Sequence, residues 1–353
     1  MSSTWLVFQE GQRRRWGGDL RRAFIFAELA RRTQATVVDG FQPAVVEGGL
    51  ATAAPRRFGI LPGRRPLVAS SENLAWTSLK ALQRRATPVA LDVHDDPVAQ
   101  TASLGVTISP ERIAHLSQRM RANLRTFPLL IVPSASFAEL TGIDPARRIV
   151  APNGTETQHI RPQPFPDRPA VGFVSGAAPG RGIESLIEAV RLVRLDLPEV
   201  VLLLWLTATG EESARYLQSL RDSTAADPWI EIAEAPYARL SDELARATVL
   251  TVPHPANPYL DTALPIKLFD SMAAGRPVVV TPRREAAEIV RDHGAGIVAA
   301  SDAVEDLGEA IARLLSDRAL AVRLGAAARS VAEEIYDWRV VSGRVADDVL
   351  ARV

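Results

Sequence analysis

Short apolar runs alternate with longer amphipathic stretches along nearly the whole of this 353-residue chain. In the first half, runs of strand length occupy 5–8, 36–38, 66–69, 88–93 and 129–132, and helical periodicity occupies 18–32, 71–85, 110–126 and 134–141. The second half repeats the scheme. Strands are expected at 170–174, 200–206, 230–233, 248–252, 278–280 and 296–299, with helices over 182–194, 211–221, 240–247, 265–274, 284–291, 303–316 and 318–334. Runs such as VVLLLWL at 200–206 show no polar alternation, the mark of strands covered on both faces. Alternating strand and helix imply parallel sheets, hence an α/β protein of two Rossmann-like, doubly wound domains. Pro162, Pro164, Pro166 and Pro169 crowd the segment RPQPFPDRPA, which suits neither a helix nor a central strand. A domain boundary is therefore expected near 160, with an N-terminal domain over 1–160 and a C-terminal one over 161–335. Ligands of such sheets sit beyond the carboxyl ends of the strands, so two facing domains predict a cleft.

Composition narrows the function classes. Basic and acidic residues balance at 41 each, with a pI near 7.0, which does not favour a nucleic-acid binder. There is no cysteine, which removes disulfides, thiol chemistry and cysteine zinc sites. The apolar run in MSSTWLVFQEGQRRR is too short and wrongly ordered for a signal peptide, and no stretch approaches membrane-spanning length, so a cytoplasmic protein is expected. Arginines cluster at 13–15, 21–22 and 31–32, around a helix with Phe24, Phe26, Leu29 and Ala30 on its apolar side. Such a surface can meet an anionic membrane or an anionic substrate, but an ordinary solvated helix surface is the expected reading.

The densest chemistry lies in ALPIKLFDSMAAGRPVVVTP, residues 263–282. Pro265 opens a helix, Gly275 closes it, and Val278, Val279 and Val280 follow as a buried strand. Lys267, one of two lysines in the chain, stands at the helix start, where free N–H groups already favour an anion. Asp270, three residues on, suits paired hydroxyls such as those of a ribose, although a surface Lys–Asp pair would show the same spacing. Two glycine-rich loops follow the first strand of each half. One contains Gly17 and Gly18 before Asp19; the other contains Gly176, Gly180 and Gly182, with Arg181 offering a fork of donors for phosphate oxygens. Neither is GxGxxG or GxxxxGK[ST]. His94, Asp95 and Asp96 lie past a strand end, where a histidine can meet a sugar hydroxyl and an aspartate can set its tautomer. Asp92, His94 and Asp96 can also be read as metal ligands, and Asp96 as a cap before Pro97. His254 lies at another strand end. No GxSxG, HExxH or EF-hand pattern occurs.

With these residues in place, the chain resembles the family 4 glycosyltransferases of the two-domain GT-B fold. WGGDLRR, APNGTE, the Arg181–Gly182 turn, KLFDSMAAGRPVVV and the final YDWRVVSGRVADDVL are similar to that family's segments. The resemblance implies sugar transfer from a nucleotide diphosphate sugar, with retention, to a glycan, lipid-linked or small-molecule acceptor, and with no metal required. It places Gly17 and Gly18 near the donor diphosphate, His94 with Asp95 at the transferring sugar, and Gly176, Arg181, Gly182, Lys267 and Leu268 at the donor. It puts Asp270 at the ribose, and it returns 336–353 to the first domain. Two departures stand out: Thr262 occupies an acidic position of the family, and Ala177 a basic one. A non-hydrolysing nucleotide-sugar epimerase and an inactive sugar-nucleotide or glycan-binding scaffold are the competing readings.

Overall fold

The computed structural model describes residues 6–9, 17–34, 36–39, 44–46, 49–51, 65–70, 86–105 and 107–353. Its contacts divide the chain into two units. The first comprises Met1–Gln100, Ile108–Asn153 and Trp338–Val353; the second comprises Thr101–Thr107 and Gly154–Asp337.

In the first unit, strands β1 (Leu6–Gln9), β2 (Thr36–Asp39), β5 (Arg65–Ser70), β6 (Ala86–Asp92), β7 (Leu129–Val132) and β8 (Arg148–Val150) form a parallel sheet in the order β2-β1-β5-β6-β7-β8. A small antiparallel hairpin joins β3 (Ala44–Val46) to β4 (Gly49–Ala51). With the hairpin set aside the order is flavodoxin-like, and the chain reverses direction across the sheet between β1 and β5. The hairpin, β8 and the seven-residue helix Pro97–Ser103 have no counterpart in the sequence reading, because each is too short to establish a period. The helix expected over 71–85 lies outside the described residues.

The helix Gly17–Thr33 packs with Trp338–Ala351, where Phe24 stacks on Trp338 at 5.9 Å between centroids. Its arginines depart from the solvated surface expected of them. Arg21 and Arg22 are buried, and Arg21 Nε and Nη2 each lie 2.9 Å from Asp92 Oδ1 at the end of β6. They occupy the turn before Ile25 and Phe26, so the helical repeat that buries those apolar residues turns both arginines inward as well. Arg31 and Arg32 pair with Glu28, and Arg32 also with Asp347. Residues 13–15 lie outside the described residues. Among the described residues, no helix is long and apolar enough to cross a membrane.

The second unit's parallel sheet is built from β9 (Ala170–Gly176), β10 (Val201–Thr207), β11 (Ile230–Ala233), β12 (Val249–Val252), β13 (Val278–Val280) and β14 (Gly296–Val298). Its order, β11-β10-β9-β12-β13-β14, is that of a dinucleotide-binding fold, with the reversal between β9 and β12. The unbroken apolar run of β10 now has its reason. Leu202, Leu204 and Leu206 enter one core, while Leu203 and Trp205 enter the other on the opposite face. The proline-rich stretch is held by Arg276, 1% exposed, which donates to the carbonyls of Gln163, Pro164 and Ala245 and lies over the Phe165 ring. Ahead of that stretch, Thr155 N–H bonds the Tyr336 carbonyl, and Thr157 bonds the Asp337 carboxylate through its N–H and hydroxyl.

Candidate functional site

The helix Ile266–Ala273 begins after extended Pro265 and buries Leu268, Phe269, Met272 and Ala273 in the core, each large side chain contributing about 1.5–3 kcal/mol. That packing leaves Lys267 to run along the sheet. Its Nζ donates to Ser175 Oγ at 3.1 Å and sits 4.5 Å from the centre of the Phe173 ring, so the ammonium lies at the carboxyl end of β9, beside the reversal point. The loops after β9 and β12 meet through Gly182. Its φ is +76°, and a Cβ there would lie 1.8 Å from the Pro253 carbonyl oxygen. Arg181 precedes this contact and His254 follows it in the facing loop. Thr281 Oγ1, after β13, donates to the His254 carbonyl. Arg283 is clamped by Asp261 at 3.1 Å and by Asp302 at 2.7 and 2.9 Å.

The electrostatics here are one-sided. Burial, and then the Arg181 charge, push the Lys267 ammonium well below its ordinary range. Burial likewise pushes the His254 imidazole well below its usual value, and Lys267, Arg181 and Arg283 add to the effect in that order. Like charges gathered in a low dielectric destabilise one another, and an incoming anion relieves that repulsion. Such an anion also finds the switch point of an open α/β sheet, where ligands of this architecture bind.

Asp270 turns elsewhere. It is buried, and its Oδ1 accepts from Thr155 Oγ1 at 2.7 Å. Burial pushes its carboxyl up to about 7, the Thr155 bond opposes this, and the Glu156 charge adds to it. The Lys267–Asp270 spacing is therefore not a surface ion pair; the two side chains serve different neighbours. Glu156 accepts from the Tyr237 hydroxyl, and His159 stacks on Tyr237 at 4.5 Å.

Gly176 ends β9 with open space where a Cβ would stand, so sterics do not demand glycine there. Leu268 is fully buried in the core and its N–H bonds the Pro265 carbonyl, which leaves its side chain no route to a ligand. Gly17 and Gly18 form the first turn of their helix rather than a loop before it. His94 Nε2 lies 3.4 Å from Asp95 Oδ2, and Gln100 Nε2 holds the same oxygen at 2.7 Å. Asp96 caps the next helix through Val98 and Ala99 N–H, and Asp92 is engaged by Arg21, so the metal reading of 92, 94 and 96 fails. Among the described residues no group of three or more His, Cys, Asp or Glu could hold a metal ion. Thr262 donates to the Tyr259 carbonyl within its own short helix, and Asp261 is engaged with Arg283, so neither offers a free acid. Ala177 is buried, its N–H on the Thr207 carbonyl and its own carbonyl accepting from Ser213. Sequence reasoning missed Ser175, Thr155 and Arg283, whose partners are far away in sequence.

Gly182→Ala provides a direct test of the loop contact. The left-handed φ alone costs about 1–2 kcal/mol, and the Pro253 carbonyl must also shift. Urea unfolding is expected to show a loss above that figure, and a midpoint equal to wild type would refute the close approach.

Residues 168–317, which carry this cationic group, match the model of the family described as glycosyl transferases group 1. The chain is related to the group 1 glycosyl transferases. A GDP-mannose-dependent alpha-(1-6)-phosphatidylinositol monomannoside mannosyltransferase of Mycobacterium tuberculosis is 27% identical over 213 residues, 56% of this chain. The chain spans 54% of that relative's length. Among solved structures, sucrose-phosphate synthase of Thermosynechococcus elongatus superposes with a TM-score of 0.73 at 16% identity, covering 99% of this chain and 100% of that one. Anabaena HepE in complex with UDP gives 0.71 at 16% identity, over 99% and 100%. These likenesses establish the GT-B fold for this relative of the group 1 enzymes.

Proposed function

We propose that the protein transfers a sugar from a nucleotide diphosphate sugar to an acceptor hydroxyl, with retention of the anomeric configuration. The observation that carries this reading is the half-buried Lys267 ammonium on Ser175, repelled by Arg181 at the switch point of the second sheet. A diphosphate brings opposite charge to both cations. As the sugar–oxygen bond breaks, charge grows on the leaving phosphate, so fixed cations stabilise the transition state more than the ground state. Arg181 and Lys267 take that role, Gly182 brings the loop backbone close, and Asp270 receives the ribose hydroxyls. The resemblance assigns His94, backed by Asp95, to the transferring sugar and Gly17 and Gly18 to the neighbourhood of the donor. It likewise makes the first unit the acceptor side. The relative's dependence on GDP-mannose and the neighbour's complex with UDP support the nucleotide class and leave the base open between them.

A thermal-denaturation panel of UDP-, GDP-, ADP- and dTDP-sugars tests the proposal. A donor at a hundredfold excess over its Kd adds about 2.7 kcal/mol to stability, which shifts the midpoint by several degrees. Donor stabilisation followed by NMR of the product anomer is expected to show transfer with retention. Thr262 and Asp261, both occupied by structural partners, favour one alternative, a binding scaffold. Donor stabilisation with no turnover across an acceptor panel would select it, and a panel with no stabilising donor would overturn the transferase reading.

A further inference from the structure

We propose that His254 is an anion-binding residue of this same site, its imidazole hydrogen-bonding a phosphoryl oxygen of the diphosphate held by Arg181 and Lys267. The inference rests on the donor reading above and adds a residue that the family resemblance does not assign. His254 stands two positions past β12, across the sheet reversal from Ser175. It is 2% exposed, and its Nε2 is buried with no hydrogen-bond partner among the described residues. Buried polar atoms of native proteins are nearly always bonded, so an orphaned ring nitrogen calls for a missing partner.

The backbone at this residue is fixed from two sides. The preceding carbonyl, of Pro253, lies against Gly182, and the His254 carbonyl accepts from Thr281 Oγ1. The charged groups acting on the ring are Lys267, Arg181 and Arg283, all cations. The carboxylates of Asp261 and Asp302 are committed to Arg283. In the free protein this setting keeps the imidazole neutral. A bound diphosphate reverses the balance, which favours the imidazolium, so binding draws a proton onto His254 and gains a charge-assisted hydrogen bond.

Isothermal titration calorimetry with inorganic pyrophosphate at pH 7.5, in two buffers of different ionisation enthalpy, tests this. The probe's own protonation is common to every variant, so differences between variants report the protein. Wild type is expected to take up more protons than His254→Gln, and His254→Leu to bind about tenfold more weakly or worse. Wild-type affinity and proton uptake in both His254 variants, with binding lost in Lys267→Met, would overturn the inference and leave the donor site standing. Unchanged affinity in Lys267→Met as well would overturn the donor site itself. Should the His254 variants fail to fold, imidazole NMR of the wild-type protein decides. The His254 ring signals are expected to move on addition of pyrophosphate, and fixed signals refute the contact.

Discussion

Exchanging Lys267 for methionine is expected to lower kcat/KM for sugar transfer by about 10²–10³-fold, the usual loss for one fixed electrostatic donor, while the melting temperature stays at or above wild type. The two halves of this expectation have one cause. The ammonium sits at the end of β9 on Ser175, where burial and Arg181 both oppose its charge. Methionine keeps most of the stem's volume and removes the charge, and with it the ammonium's contact with the Phe173 ring. The sign in pH follows from the lowered value. The unfolded chain holds the lysine proton more tightly than the folded one, so wild type gains stability as pH rises toward the ordinary lysine value of 10.5. The methionine variant has no such gain, and its advantage over wild type shrinks between pH 7 and 9.5. Steady-state kinetics paired with thermal unfolding at both pH values measures this. Activity within threefold of wild type would remove Lys267 from the diphosphate, and a collapsed melting temperature would make it structural.

Asp270→Asn is expected to make the protein more stable and the donor site worse. The carboxyl is buried and pushed up to about 7 from an ordinary 3.8, so the folded state keeps its proton to higher pH than the unfolded chain does. The associated stability is fully present below 3.8 and is lost as pH rises through about 7. The difference of 7 − 3.8 bounds the loss at about 4 kcal/mol. Asparagine keeps an oxygen for the Thr155 hydroxyl and does not ionise. Its advantage over wild type therefore grows between pH 4 and pH 7 and levels off above. A nucleotide sugar is expected to lose more affinity than pyrophosphate, because only the former brings ribose hydroxyls to this position. Chemical denaturation at pH 4.5 and 8 and calorimetry with both ligands check the two halves. A variant less stable than wild type at pH 8, or equal losses for both ligands, would refute the account. A wild-type carboxylate held at a stability cost is what a binding residue, as opposed to a packing residue, tolerates.

Legibility differed between the fold and the site for a physical reason. The helix Pro110–Thr126, the helix Arg318–Glu334 and strands β7, β11 and β13 coincide with their expected ranges, since each is long or apolar enough for its own period to be read locally. The helix Pro258–Thr262 has five residues, under two turns, and the three-residue strand Arg148–Val150 opens on a charged residue, so neither shows a readable period. The arginines at 21 and 22 show a different failure. Their side-chain type argues for solvent, but their place on the helix puts them one turn from Ile25 and Phe26, and a buried Asp92 seventy-one residues away makes that place tenable for Arg21.

The amino-acid sequence by itself determined the two α/β halves, the glycine turn at Gly182 and the presence of a rare lysine at a helix start. All of these follow from local periodicity and backbone freedom. Only the tertiary structure decided which groups act together. It sent Lys267 to Ser175 and Asp270 to Thr155, although three residues on one helix separate them, because the neighbours come from β9 and from the segment ahead of the proline-rich stretch. It also placed His254 among three cations and left its Nε2 without a partner, a setting that strand order creates and that no local pattern encodes.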